Sequence, residues 1–438
     1  MNRTLLRPVL PLLAGAALAL PAPAASQRLN AEERRIAAYV DAHAGEAVTL
    51  LERLVNINSG TMNPAGVREV GRVLGEELDA LGFDTRWIEM PDSMNRAGHL
   101  FAERRGRRGK RLLLIGHLDT VFERDSPFQG FTREGSRARG PGTADMKGGD
   151  VVIVYALRAL HAAGALRDTR IVVALTGDEE SPGSPLEVAR RDLIEAGRRS
   201  DVALEFEGGS RDGSREYAVV ARRSSSGWRL DVRARPGHSS GIFREGVGSG
   251  AIYEAARILT AFHEELRGEE NLTFNPGLIL GGTQVELDEE GSRGTASGKD
   301  NVIAEHASAT GDLRTLTDEQ LRRTRERMRA IVARSLPQAT SSISFTDGYP
   351  SMPPTPGNRA LLEALNGVNR DLGLPAMEAF DPGRRGAADI SFVAPYVDAL
   401  AGLGVHGSGS HTVQEEMDLE SFPTVVKRAA LLIYRLTR

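Results

Sequence analysis

Two short apolar runs constrain this chain more than anything else in it. Residues 111–116 read Arg-Leu-Leu-Leu-Ile-Gly and residues 171–176 read Ile-Val-Val-Ala-Leu-Thr, with no polar residue alternating inside either run. A strand that is apolar on both sides needs both faces covered, as in a sheet held between helices. Between the runs, residues 148–165 carry Val151, Val154, Leu157 and Leu160 at helical spacing. Strand, helix, strand predicts an open α/β sheet, where functional groups gather at the carboxyl ends of the strands. Acidic and histidine clusters stand at those ends.

The surrounding pattern extends this picture. Residues 30–54 read as an amphipathic helix pair, 67–81 as a helix closed by Gly82, and 83–90 and 99–103 as strands. The Arg-rich stretch 103–111, with Gly106 and Gly109 at its bends, reads as a solvated hairpin turn. The middle of the chain differs: strands at 226–234, 278–287, 301–313 and 341–345, and helices at 249–266 and 317–336. That β-α-β-β-α-β order is a split βαβ unit, self-contained with its helices on one sheet face. From 358 the earlier style returns and ends in a helix over 419–436, so a discontinuous α/β domain is interrupted by a small α+β insert. Residues 291–299 read as a mobile loop, and no internal repeat is visible.

At the N-terminus, Arg3 and Arg7 precede an apolar run from Val9 to Leu20, followed by Pro21-Ala22-Pro23-Ala24-Ala25. The run is shorter than the about 20 residues of a membrane span. It reads as a secretory signal cut near Ala24 or Ala25, leaving an exported protein with no stable membrane insertion. The 438 residues hold 55 basic and 59 acidic side chains, net charge −4, which offers no basic surface for nucleic acid. With no cysteine in the chain, disulfides are excluded and any metal site must be built from His and carboxylates.

Five groups in order could build one. His117-Leu118-Asp119 follows the first apolar strand, and residues two apart on an extended chain share a face, so Asp119 can orient the His117 ring from behind. Asp145 sits in Gly142-Thr143-Ala144-Asp145-Met146-Lys147-Gly148-Gly149, where glycines let the backbone bend and aim one carboxylate into a cleft. Asp178-Glu179-Glu180 ends the second apolar strand; three adjacent acids repel unless a cation neutralises them, and Glu179 and Glu180 point in opposite directions, one suited to ligation and one to holding a water. Glu205 and Glu207 share one side of a strand, and His406 and His411 both lie in a glycine-rich loop ahead of Glu415, either able to ligate. Singly, each group also suits a plain strand end, helix cap or acidic turn. Together they form the inventory of a two-metal site.

The order and flanks of Gly116-His117-Leu118-Asp119-Thr120-Val121, the 142–149 motif and Thr176-Gly177-Asp178-Glu179-Glu180 resemble the glutamate carboxypeptidase, acetylornithine deacetylase and aminoacylase family of co-catalytic zinc amidohydrolases. The resemblance implies a three-layer α/β zinc-peptidase catalytic domain with an inserted ferredoxin-like α+β lid and dimerisation domain. Its parts are a signal peptide over 1–25, catalytic segments over 26–219 and 350–438, and the lid over 220–349. It implies two Zn2+ per subunit, replaceable by Co2+ or Mn2+: His117 and Glu207 hold one, His411 and Glu180 the other, and Asp145 bridges them, with a cis Asp145–Met146 peptide bond. His411 fits the family's motif through His411-Thr412-Val413-Gln414-Glu415, leaving His406 to shape its loop. Glu179 becomes the general base, with Asp119 behind His117.

In the lid, Arg235-Pro236-Gly237-His238-Ser239 is similar to the segment whose His stabilises the oxyanion in the partner subunit's site. Asn301 and Arg314 stand where relatives grip the substrate carboxylate. Asp347-Gly348-Tyr349-Pro350 lacks the Arg found there in folate-cleaving carboxypeptidases. The implied activity is hydrolysis of an amide bond next to an amino acid with a free carboxylate, glutamate being one candidate, by a homodimer. An N-acyl-amino-acid deacylase or dipeptidase is the alternative within the family. From another class, the rival is a zinc-binding protein that has lost catalysis.

Overall fold

A computed structural model describes residues 29–288 and 291–438; the expected signal segment lies outside the described residues. The central sheet has six strands in the order Asp84–Ile88, His99–Arg104, Thr169–Thr176, Arg108–His117, Val202–Glu205, Asp398–Leu400. The last four are parallel, and the first two run antiparallel to their neighbours.

The unalternating strands meet two cores. Leu112, Leu114, Ile171, Val173 and Leu175 pack into the apolar layer that also holds side chains of helices Ala31–Val55, Lys147–Ala162 and Phe422–Leu436. Leu113, Ile115, Val172 and Ala174 face the other way, onto Leu193, Ala196, Ile390 and Val393. Each large apolar side chain so buried contributes roughly 1.5–3 kcal/mol. The parallel strands therefore end their buried runs together, and His117, Thr176 and Glu205 emerge at one edge.

The inserted segment builds its own sheet in the order Thr273–Gly282, His306–Arg314, Ser226–Ala234, Ala339–Thr346, antiparallel throughout. Trp228, Leu230, Val232 and Ala234 alternate inward onto Ala255, Ile258 and Phe262 of helix Ala251–Leu266 and onto Met328 and Ile331 of helix Asp318–Val332. The element order with two central, non-consecutive strands is the split βαβ arrangement. The two passages between insert and body run side by side: Arg222 bridges Met352, and the Ser225 amide donates to the Tyr349 carbonyl (2.9 Å).

Several local expectations change. The helix pair over 30–54 is one helix, Ala31–Val55, started by an Asn30–Glu33 capping box. Its apolar stripe runs unbroken past Gly45, and one exposed mid-helix glycine costs only about 1 kcal/mol. The 103–111 stretch is no hairpin, because strand Thr169–Thr176 lies between its two arms and the Arg107 and Arg108 amides donate to the Asp168 carbonyl (3.0 and 2.9 Å). The strand expected over 278–287 divides into Thr273–Gly282 and Gln284–Leu287. The second pairs with Gly294–Ser297, so the expected loop carries a strand. The strand expected from 301 begins at His306; before it, Asn301 and Val302 lie against Ser239 and His238.

Candidate metal centre

The site is assembled at the carboxyl ends of the parallel strands. His117 closes strand Arg108–His117, buried, with Nε2 3.3 Å from Asp145 Oδ1 and Nδ1 3.4 Å from Asp119 Oδ1. Asp119 is fully buried and does more than face the imidazole. It accepts from the Thr61 hydroxyl (2.6 Å) and from the amides of Glu179 (3.0 Å) and Glu180 (3.1 Å). One carboxylate thus fixes His117 and the turn carrying both glutamates.

Asp145 occupies the turn before helix Lys147–Ala162, and its peptide bond to Met146 is cis. The amides of Ala144 and Asp145 donate to Glu415 Oε1 (2.8 and 3.0 Å), which ties this turn to the loop carrying His411. His411 adopts a φ of 64°, uncommon for a side chain other than glycine. Its Nε2 lies 3.2 Å from Asp145 Oδ2 and 3.2 Å from Glu180 Oε2. The two oxygens of Asp145 therefore face one imidazole each. Ligand atoms of His117, Asp145 and Glu180 lie within 4.8 Å of one another, as do those of His117, Glu179 and Glu207. A cavity of about 480 Å³ opens over Asp145, Glu179, Glu180, Glu207 and His411.

These residues fit divalent cations of the zinc type, which accept imidazole nitrogen and carboxylate oxygen. The buried Glu180 Oε1 has no hydrogen-bond partner. Electrostatics point the same way. Burial opposes a charged His117, yet hydrogen bonds to Asp119 and Asp145 hold its pKa well above the ordinary value. Hydrogen bonds to Asp145 and Glu180 lift His411 to about 11. Burial pushes the Glu179 carboxyl well above its usual range, against the pull of His117 and with help from Glu207, Asp389 and Glu180. The acidic cage demands positive charge, and protonated imidazoles supply it when no cation does.

Ligation needs neutral imidazole, so metal binding releases protons near neutral pH. Apparent affinity then rises with pH by about tenfold per unit for each proton displaced. Calorimetric zinc titrations in buffers of different ionisation enthalpy measure this, and a proton count of zero at about pH 7 would contradict it.

His406 turns away, buried, with Nε2 3.0 Å from Glu216 Oε1. His238 is exposed, with Nδ1 2.8 Å from the Ser240 hydroxyl, and neither it nor Asn301 lines the cavity of its own chain. Arg314 pairs with Asp312 (2.8 Å) and reaches the cavity edge, Nη1 lying 3.6 Å from the place a Cβ on Gly386 would take. Glu207, expected as a ligand, lies with His117 and Glu179 and also accepts from Arg222 and from Arg385 (3.3 Å).

Arg222 and Arg385, both lining the cavity, were not anticipated, nor was Glu205 as the second partner of Arg222 (2.7 Å). Arg222 directly follows the apolar run Val219-Val220-Ala221, and a charge beside such a run was the available signal.

The chain resembles known proteins along most of its length. Carboxypeptidase G2 of Pseudomonas sp. (strain RS-16) is 27% identical over 400 residues, covering 88% of this chain and 88% of that one. A succinyl-diaminopimelate desuccinylase of Gluconacetobacter diazotrophicus is 25% identical over 396 residues, 89% of this chain and 97% of its own. The crystal structure of aminopeptidase PepT from Bacillus cereus shares the fold, with a TM-score of 0.71 at 18% identity, covering 90% of this chain and 99% of that one. Residues 113–435, from the first apolar strand to the last helix, match the family described as Peptidase family M20/M25/M40. The chain belongs to that family of metal-dependent peptidases and amidohydrolases.

Proposed function

We propose that this chain is a two-zinc hydrolase that cleaves an amide bond next to an amino acid with a free α-carboxylate, in the manner of a carboxypeptidase. The observation that carries the reading is the Asp145 carboxylate, one oxygen toward His117 and the other toward His411. His117, Asp145 and Glu207 would hold one divalent cation and His411, Glu180 and Asp145 a second, and the pair would supply Lewis acidity and lower the pKa of water in the site when bound. Co2+ or Mn2+ suits the same donors.

The chain's own groups do the rest. Glu179 takes the proton of the attacking water and returns it to the leaving amine, a task suited to a carboxyl whose pKa burial has raised. Asp119 holds the His117 ring and, through the Glu179 and Glu180 amides, keeps base and ligand at a constant offset. Arg314, at the cavity edge, pairs with the substrate carboxylate, and Asn301, beside His238 on the insert, grips it in the site of a second copy. His238 is exposed on the insert and serves the site of a second copy, stabilising the oxyanion. The lid of that homodimer presents exposed Phe243, Ile252 and Tyr253. The 1–25 segment directs export.

A deacylase reading is favoured by one fact: the desuccinylase likeness spans nearly the full length of that relative. A panel of dipeptides and N-acyl amino acids, blocked and unblocked at each end, decides. The carboxypeptidase reading predicts that amidating the C-terminal carboxylate lowers kcat/KM at least about 100-fold, the loss expected when a hydrogen-bonded charge pair is left open. Insensitivity to that block would overturn it, and a zinc-loaded protein inert on every substrate would support loss of catalysis.

A further inference from the structure

One guanidinium beneath the site is used by no step described above. Arg190 is fully buried and makes four hydrogen bonds: Nε to Asp389 Oδ1 (2.7 Å), Nη1 to Asp178 Oδ1 (2.5 Å), and Nη2 to both the Asp178 carbonyl (3.1 Å) and the Tyr349 hydroxyl oxygen (2.9 Å). The Tyr349 hydroxyl in turn donates to the Glu179 carbonyl (2.8 Å). Asp389 also accepts from Thr176 at the end of the second apolar strand (2.5 Å). Phe392 packs edge-on against the Tyr349 ring (4.9 Å between centroids), and the guanidinium lies 5.7 Å from each ring.

Three segments therefore meet at Arg190: the acidic turn after strand Thr169–Thr176, the 386–389 stretch beside the cavity, and the passage from the insert back to the body. Tyr349 sits on that passage, with its carbonyl bonded to Ser225 on the outgoing one. The backbone of Glu179 is held on every side: its amide by Asp119, the preceding carbonyl by Arg190, its own carbonyl by Tyr349. A buried cation with two buried carboxylates contributes little to stability compared with apolar packing of the same volume. What it does provide is a fixed direction for each partner.

We propose that Arg190 and Tyr349 are positioning residues for Glu179 and couple its placement to the hinge of the inserted domain. A tilt of the insert moves Tyr349, and the hydroxyl carries that displacement to the Glu179 carbonyl. This rests on Glu179 being the general base. The effect belongs to kcat, because displacing a reacting group by about 1 Å costs up to about 100-fold without touching substrate contacts.

Tyr349→Phe keeps the ring and its packing and removes only the hydroxyl. The expected result is a 10- to 100-fold fall in kcat, KM within twofold, and unchanged metal content. In a Glu179→Gln background the same substitution changes the residual rate by less than twofold, since the group it positions is already disabled. An unchanged kcat in Tyr349→Phe, or an equal loss in both backgrounds, overturns the proposal. Arg190→Met is expected to act in the same direction, and should it not fold, Tyr349→Phe decides alone. A Glu179→Gln enzyme with near-native turnover faults the base assignment itself, a result distinct from an inert Tyr349→Phe.

Discussion

Glu179→Gln lowers kcat by about three orders of magnitude while the chain folds and loads metal as before. General-base groups contribute roughly 10²–10⁴ to rate, and the loss expected at Glu179 falls in the middle of that range. Its carboxyl lies with His117 and Glu207, their ligand atoms within 4.8 Å of one another, it lines the cavity, and burial pushes its pKa well above the ordinary carboxyl value. Glutamine keeps the volume and leaves the hydrogen bond from the residue-179 backbone N–H to Asp119 intact. Circular dichroism and metal analysis should match the wild type while turnover collapses. Turnover within tenfold of wild type would remove Glu179 from the mechanism.

Asp145→Asn has a different signature, loss of metal before loss of fold. Among the described residues, Asp145 is the one carboxylate within 3.3 Å of both the His117 and His411 rings. Removing a group that merely orients a ligand typically costs 10–100-fold in metal affinity, so removing the shared anion costs more than about 100-fold. Each imidazole also loses one of the two carboxylate partners that raise its pKa without metal, so both values fall. Equilibrium dialysis should find fewer than one cation per chain, with no hydrolysis on any substrate that the wild type cleaves. Retention of two equivalents would show that another group bridges.

Much of this was legible because the decisive signals are local. An apolar run without alternation says that both sheet faces are covered, and Leu112 to Ile115 indeed divide between two cores. His117-Leu118-Asp119 needs only strand geometry to place the carboxylate behind the ring. What escaped notice depends on distant partners. Arg190 lies in a run rich in charge and looks like helix surface, and only its contacts with Asp389 and Tyr349 make it internal. Arg222 is the same case, its partners Glu205 and Glu207 lying at the end of another strand. The turn at Gly106 read as a hairpin because nothing nearby announces that a strand starting at Thr169 slips between its arms.

The central claim is that one aspartate is shared by two cations. Diffraction from zinc-loaded crystals at the zinc absorption edge tests it most directly. The account predicts two anomalous peaks about 3.5–4 Å apart, one beside His117 and one beside His411, with the Asp145 carboxylate between them. A single peak, or a pair in which either lies beyond reach of Asp145, would contradict it.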